Sequence, residues 1–116
     1  MNRQQIYDTA ARHLLTQNKK ALNVAGSCRY HSDDGYKCAI GCLIPDELYR
    51  TEMEGEDIEG LLIIEPKLEP ILLNDGNNLD FLEELQIIHD CIFPEKWEKE
   101  LRKFAKRYNL TPFQKE

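Results

Sequence analysis

The stretch that decides the fold is NLDFLEELQIIHDCIFPEKWEKELRKFAKRY, residues 78–108. Its apolar side chains recur every three or four positions, which is the period of an amphipathic helix. The first half of this stretch predicts a helix over about residues 78–92. Pro94 suits the first position of a second helix, over about residues 94–108, where no backbone N–H is needed. Trp97 begins the apolar face of that second helix, so we expect it in the core.

A third helix is predicted near the N-terminus, over about residues 3–17. Asn2 and Gln5 match a capping box, in which each side chain bonds the backbone N–H of the other residue. Apolar side chains then recur at helical spacing at Ile6, Ala10 and Leu14. We expect these three helices to pack against one another.

Less regular structure is predicted between the N-terminal helix and the last two. Asp34-Gly35 is a tight-turn dipeptide, and it predicts a small β-hairpin over residues 28–38. Pro66 and Pro70 exclude one regular helix through the acidic segment that follows. The predicted class is therefore α+β and mostly helical, with three main helices, a small β-hairpin and an irregular acidic middle segment.

The whole chain, residues 1–116, is predicted to form a single domain. Its mass is 13.6 kDa, and its 41% apolar and 31% charged residues give the balance of a globular protein. Its longest apolar runs are far shorter than the ~20 residues of a membrane helix, so we expect no membrane span. Its first residues contain no apolar signal segment, so we expect the protein in the cytoplasm.

Acidic residues are concentrated in the middle of the chain. Residues 46–100 contain seventeen Asp and Glu against four Lys and Arg, a net charge of −13. This charge repels nucleic-acid phosphates, so we do not expect direct nucleic-acid binding. It can instead face a basic surface on a partner protein, although a merely solvated acidic face is the alternative. The candidate binding residues are Glu52, Glu54, Glu56, Asp57 and Glu59.

The chain has four cysteines, Cys28, Cys38, Cys42 and Cys91, which we expect to be free thiols in a reducing compartment. Cys28, His31, Cys38 and Cys42 are spaced C-x2-H-x6-C-x3-C, a set that zinc could bind tetrahedrally. We favour thiols that fill the core, because this spacing matches no common zinc ribbon or finger. No metal or other cofactor is therefore expected, with zinc as the alternative.

A catalytic site is a further alternative, with candidate residues Cys38, Cys42, Asp46, His89 and Asp90. A catalytic thiol needs a base and a group that orients the base. Asp90 is expected to orient His89 poorly, because neighbours on a helix point about 100° apart. A contact between His89 and Asp46 is expected instead. The question of enzymatic activity stays open, and we favour a protein that is not an enzyme.

Several short motifs carry a resemblance to a known group of proteins. They are Cys28-x-Tyr30, Gly35-x-Lys37-Cys38-Ala39-Ile40-Gly41-Cys42-Leu43-Ile44-Pro45-Asp46-Glu47-x-Tyr49, Met53-Glu54-Gly55 and Leu85-Gln86-x-x-His89-Asp90. Together they resemble a group of small uncharacterised proteins encoded by tailed bacteriophages and prophages. The resemblance implies an origin in a phage or a prophage-bearing bacterium, and the bacterial host cytoplasm as the compartment. It implies no mechanism.

Two functions from different classes follow from these patterns. The first is that of a small acidic phage-type accessory protein, which binds a host protein and inhibits a host defence or a host enzyme. The second is that of a small enzyme or ligand-binding domain, with a Cys/Asp/His pocket between the Cys38–Asp46 and Gln86–Asp90 motifs. Convergence of these motifs in an open cleft favours the second function, and a buried hydrogen-bond network favours the first.

Overall fold

Helices dominate the computed structural model, which describes residues 1–73 and 78–113. The α-helices in these ranges are α1 (Arg3–Gln17), α2 (Ile58–Ile64), α3 (Glu69–Leu72), α4 (Leu79–Cys91) and α5 (Trp97–Arg107). Short 3-10 helices span Gly41–Leu43, Thr51–Met53, Pro66–Leu68 and Pro94–Lys96. The three predicted helices and the mostly helical character are confirmed. None of the described helices is long and apolar enough to cross a membrane.

The predicted β-hairpin over residues 28–38 is wrong, and so is the α+β class. Within the described ranges the chain forms no sheet, and its strand-like pairing is limited to two isolated antiparallel bridges. These bridges join Leu22 to Cys28 and His31 to Lys37. The tight turn itself does form, and Gly35 adopts the positive φ of +90° that the dipeptide predicted.

The pairing stops at Cys38 because a helical turn begins there. The Cys38 carbonyl accepts the Cys42 N–H at 3.0 Å, so it does not accept the N–H of Tyr30 across the turn. The Tyr30 N–H donates to Glu54 Oε1 instead, at 2.8 Å. A backbone N–H needs a partner when it leaves water, and here a carboxylate takes the place of a neighbouring strand.

The acidic middle is more ordered than predicted. Asp57 caps α2, because its carboxylate accepts the Gly60 N–H at 2.8 Å. Pro66 and Pro70 lie at the starts of the two short helices that follow, where a missing N–H costs nothing. The two prolines therefore divide the segment into short helices, and the expectation of an irregular middle is wrong for residues 58–72.

The aromatic part of the core lies where α5 packs against α1 and α4. Trp97 is fully buried, and its indole N–H donates to the Ile92 carbonyl at 3.0 Å. Phe104 lies between two other rings, with centroids 5.9 Å from that of Tyr7 and 5.0 Å from that of Phe81. The predicted core position of Trp97 is confirmed.

Gly41 allows the 3-10 helix at residues 41–43 to lie directly against residues 28–31. A Cβ at this position would clash with the carbonyl oxygen of Tyr30. His31 closes the same contact, because its Nε2 lies 2.8 Å from the Gly41 carbonyl. The close approach of these two irregular segments therefore requires glycine.

We expect Trp97→Ala to lower the free energy of unfolding by about 3–5 kcal/mol, because it removes a large buried ring and leaves a cavity. Urea unfolding followed by circular dichroism measures this loss. Phe93→Ala is the control, since that ring is 68% exposed. A loss below about 1 kcal/mol for Trp97→Ala would contradict the central position of this side chain.

Candidate functional site

The imidazole of His89 is fully buried, and both of its nitrogens are hydrogen-bonded. Nε2 accepts the backbone N–H of Ala21 at 3.0 Å, so the ring proton lies on the other nitrogen. Nδ1 then donates to Asp90 Oδ1 at 2.7 Å. The ring also stacks on Trp97, with 5.7 Å between the centroids. His89 thereby attaches the segment that follows α1 to the C-terminal end of α4.

Asp90 orients the His89 ring, so the prediction that it points away from His89 is wrong. Adjacent helical side chains diverge by about 100°, but a short carboxylate can turn back to its neighbour in the last turn of a helix. Gln86, one turn earlier on α4, donates to the same Asp90 oxygen at 3.2 Å. These three side chains therefore form one polar network at the end of α4.

Gln86 connects this network to the turn that begins at Cys38. Its Oε1 accepts the backbone N–H of Ile40 at 3.1 Å. The Cys38–Asp46 and Gln86–Asp90 motifs are thus in contact, as the pocket predicted from the sequence requires. The contact satisfies a backbone group in a segment without regular structure, which is a structural role.

The predicted contact between His89 and Asp46 is wrong, because the two side chains have different partners. Asp46 is exposed, and its Oδ1 lies 3.0 Å from Lys37 Nζ and 3.9 Å from His31 Nδ1. The hydrogen bond from Lys37 holds the pKa of Asp46 below its usual value. Burial lowers the pKa of His31. Asp46 thus belongs to an exposed ion pair.

The five predicted acidic binding residues divide into two kinds. Glu54 is half-buried and accepts three hydrogen bonds, from the Tyr30 N–H at 2.8 Å, the His31 N–H at 3.1 Å and the Tyr49 hydroxyl at 2.6 Å. It therefore stabilises the fold. The other four side chains are exposed, namely Glu52, Glu56, Asp57 and Glu59, although the Asp57 carboxylate also caps α2.

Two of the candidate catalytic residues, Cys38 and Cys42, are weak acids in this fold. Cys38 is fully buried and its Sγ accepts the Gly41 N–H at 3.2 Å, while the Cys42 thiol donates to the Ala39 carbonyl at 3.1 Å. Burial raises the pKa of each thiol to about 12. A cysteine nucleophile must be a thiolate, so these two thiols do not suit catalysis near neutral pH.

The zinc alternative from the sequence comprises Cys28, His31, Cys38 and Cys42. Within the described part of the chain, a different trio of metal-binding side chains converges: Cys28, His89 and Asp90 offer ligand atoms within 4.8 Å of one another. A metal on His89 Nδ1 would move the ring proton to Nε2, which would then face the Ala21 N–H as a second donor. The trio therefore fits a hydrogen-bonded network better than a metal site.

A cleft of about 410 Å³ opens next to this trio, and Cys28 and Asp90 both line it. Its other walls come from residues 55–58 and from one face of α4. Ile58 and Ile87 supply apolar surface. The carboxylates of the cleft are those of Glu56, Asp57, Glu83 and Asp90.

Arg29 is the one basic side chain among the described residues that line the cleft, and acidic groups already neutralise it. Its Nε lies 3.6 Å from Glu54 Oε2, and one terminal nitrogen lies 3.3 Å from Asp33 Oδ1. Burial raises the pKa of Tyr30 in the same wall, and the negative charge of Asp90 adds to this effect. The cleft therefore presents an excess of negative charge.

Cys28 is the thiol that the cleft contains. Burial raises its pKa to about 11, and the nearby carboxylate of Asp90 contributes to the rise. His89 cannot accept its proton through Nε2, because that nitrogen accepts the Ala21 N–H. The cleft thus holds a protonated thiol next to a carboxylate, which suits hydrogen bonding to a ligand and not nucleophilic attack.

Four further residues belong to the network or the cleft although no sequence motif marks them: Ala21, Ile58, Glu83 and Ile87. The sequence does contain a signal for Glu83 and Ile87, which is helical spacing. Residues 83, 86, 87 and 90 are three or four positions apart, and this spacing places them on a single face of a helix. The contribution of Ala21 is a backbone N–H, for which no side chain gives a signal.

We expect Cys28 to react with iodoacetamide about 100-fold more slowly, at about pH 7.5, than a thiol with the usual pKa of 9.0. The cause is the smaller thiolate fraction, so the rate should keep rising until the pH passes about 11. Timed alkylation followed by peptide mass mapping measures the rate, with the exposed Cys91 as internal reference. Equal rates at Cys28 and Cys91 would refute the protonated thiol.

Comparisons with protein-family models, curated proteins and solved structures find no match for this chain. A functional proposal therefore rests on the chemistry of the cleft and of the network beside it. That chemistry combines an acidic wall, an apolar wall and a thiol that stays protonated.

Proposed function

We propose that this protein binds a partner protein by receiving a basic segment of that partner in the acidic cleft. The observation that carries the proposal is the charge of the cleft: four acidic residues line one cavity, and the arginine in its wall is already neutralised. Lysine and arginine side chains of a partner would supply the missing positive charge. Such complementarity speeds association and selects against acidic partners.

Three of the acidic residues that line the cleft have no basic partner among the described residues. Among the described residues, no lysine or arginine lies within 4.0 Å of the carboxylates of Glu56, Asp57 or Glu83. Asp57 is partly engaged by the Gly60 N–H, and Asp90 by His89 and Gln86. Glu56 and Glu83 are therefore the side chains most suited to a partner's cations.

The partner is proposed to be a host protein, in line with the resemblance to phage and prophage proteins. On this proposal the protein acts in the bacterial cytoplasm as an inhibitor of a host defence or of a host enzyme. The cleft supports binding over catalysis, because its thiol is protonated and the nearby imidazole has both nitrogens engaged. An enzyme with a Cys/Asp/His pocket would need a free base beside a thiolate.

The test uses a fluorescein-labelled hexa-arginine peptide and follows its binding by fluorescence anisotropy. We expect the double variant Glu56→Gln, Glu83→Gln to bind about tenfold more weakly, since two exposed ion pairs together contribute about 1.4 kcal/mol. The binding should also weaken as the salt concentration rises from about 0.05 to about 0.5 M.

The matched control is the double variant Glu47→Gln, Glu95→Gln, which removes the same charge from two exposed positions outside the cleft. Less than a twofold loss is expected for this control. An equal loss in both double variants would show attraction to net charge alone and would overturn the proposal. Failure of the wild-type protein to bind the peptide at low salt would overturn it as well.

A further inference from the structure

Most of the exposed apolar side chains lie in or next to segments that also contribute residues to the cleft. Five large apolar residues are exposed in the described part of the chain, and four of them lie in residues 22–28 or in α4 and the two residues after it. We call these four the apolar rim: Leu22, Val24, Ile87 and Phe93. The fifth, Ile63, lies on α2 and does not line the cleft.

The contacts of the network link three members of this rim, Leu22, Ile87 and Phe93, to residues of the cleft, and Val24 lies two residues after Leu22 in the chain. Ile87 is itself part of the cleft wall, and Leu22 is bridged to Cys28, which lines it. Lys20 connects Phe93 to the cleft residue Asp90. Its ammonium donates to the Asp90 carbonyl at 3.0 Å and lies 5.8 Å from the centre of the Phe93 ring. Three exposed apolar side chains therefore lie next to residues of the acidic cleft.

An exposed apolar group beside a charged cleft is a common feature of protein interaction sites. Val24 is fully exposed in the turn over residues 23–26, where it touches little of its own chain. Ile87 is 52% exposed although it lies on a helix whose next residue, Ile88, is buried. A partner that covers the rim would remove this apolar surface from water while its cations enter the cleft.

The form of the partner segment follows from what this surface lacks. The described residues contain no sheet, so they offer no edge to which a partner strand could add. Proline-rich segments bind grooves lined by several aromatic rings, and the rim contains a single ring, that of Phe93. A helix bonds its own backbone groups and presents apolar and basic side chains side by side.

We infer that the partner segment is a basic amphipathic helix, with its apolar face on the rim and its lysines or arginines in the cleft. The inference rests on the proposed function and specifies its partner. Leu22, Val24, Ile87 and Phe93 contact the apolar face, while Glu56 and Glu83 contact the basic one.

The experiment uses two labelled peptides of about 18 residues with the same leucine and lysine composition. One has its leucines at helical spacing, and the other has them scattered around the helix. We expect the amphipathic peptide to bind about tenfold more tightly to the wild-type protein. Equal affinities would overturn the inference.

Ile87→Ser and Ile63→Ser form a matched pair, because each replaces an exposed isoleucine on a helix. Ile87→Ser should weaken binding of the amphipathic peptide about fivefold to tenfold, and Ile63→Ser should leave it unchanged. Val24→Ser, in an exposed turn, should also weaken it and is independent of α4. Equal effects of the rim variants and Ile63→Ser would contradict the inference.

The two proposals fail in different ways. If hexa-arginine binding depends on Glu56 and Glu83 but the two leucine–lysine peptides bind equally, the helix inference is wrong and the proposed function stands. If neither kind of peptide is sensitive to the loss of Glu56 and Glu83, the proposed function is wrong, and the inference that rests on it falls too.

Discussion

The bond from the Ala21 N–H to the buried imidazole of His89 is the interaction on which the rest of the structure depends. Between α1 and α2, residues 18–57 contain no α-helix and no sheet, so several of their backbone N–H groups have no backbone partner. Each buried N–H left without a partner costs about 1–3 kcal/mol. Side chains therefore supply the acceptors: His89 for Ala21, Gln86 for Ile40, and Glu54 for Tyr30 and His31.

This arrangement explains why polar residues that look catalytic are built into the fold. His89 has a carboxylate beside it and a thiol within reach, as a cysteine hydrolase would require. Its second nitrogen, however, is occupied by backbone, and burial holds the Cys28 thiol in the protonated form. Residues 28–30 and α4 both line the cleft, and the bonds from Ala21 to His89 and from Ile40 to Gln86 connect the neighbouring backbone to α4.

Periodicity predicted the regular part of the fold from the sequence. α1, α4 and α5 were found because apolar side chains recur every three or four residues, and Trp97 leads one of these faces. The hairpin was mispredicted because a local turn signal at Asp34-Gly35 does not reveal that the Cys38 carbonyl accepts the Cys42 N–H. Continued strand pairing would need the Cys38 carbonyl as an acceptor. The turn that follows determines which N–H group this carbonyl accepts.

Only part of the candidate site could be predicted from the sequence. Gln86, His89 and Asp90 belong to one motif that the sequence analysis assigned to a possible pocket, but the hydrogen bond between His89 and Asp90 was not expected. The partners at Ala21 and Ile40 are backbone atoms that no residue type marks. A contact between Asp46 and His89 was predicted because both residues lie in distinctive motifs. In the structure, Asp46 pairs with Lys37 at the surface instead. Sequence motifs do not give the distances between residues in space, so neither the backbone partners of α4 nor the Lys37–Asp46 pair could be predicted from them.

Native-state hydrogen exchange of the Ala21 and Ile40 amides tests the central claim most directly. If side chains of α4 hold the segment after α1, these amides open only when the helix itself opens. Their exchange rates should then lie within about tenfold of that of the Leu85 amide in α4, and far below that of the Val24 amide in the exposed turn. Rates at Ala21 and Ile40 as fast as at Val24 would contradict the claim.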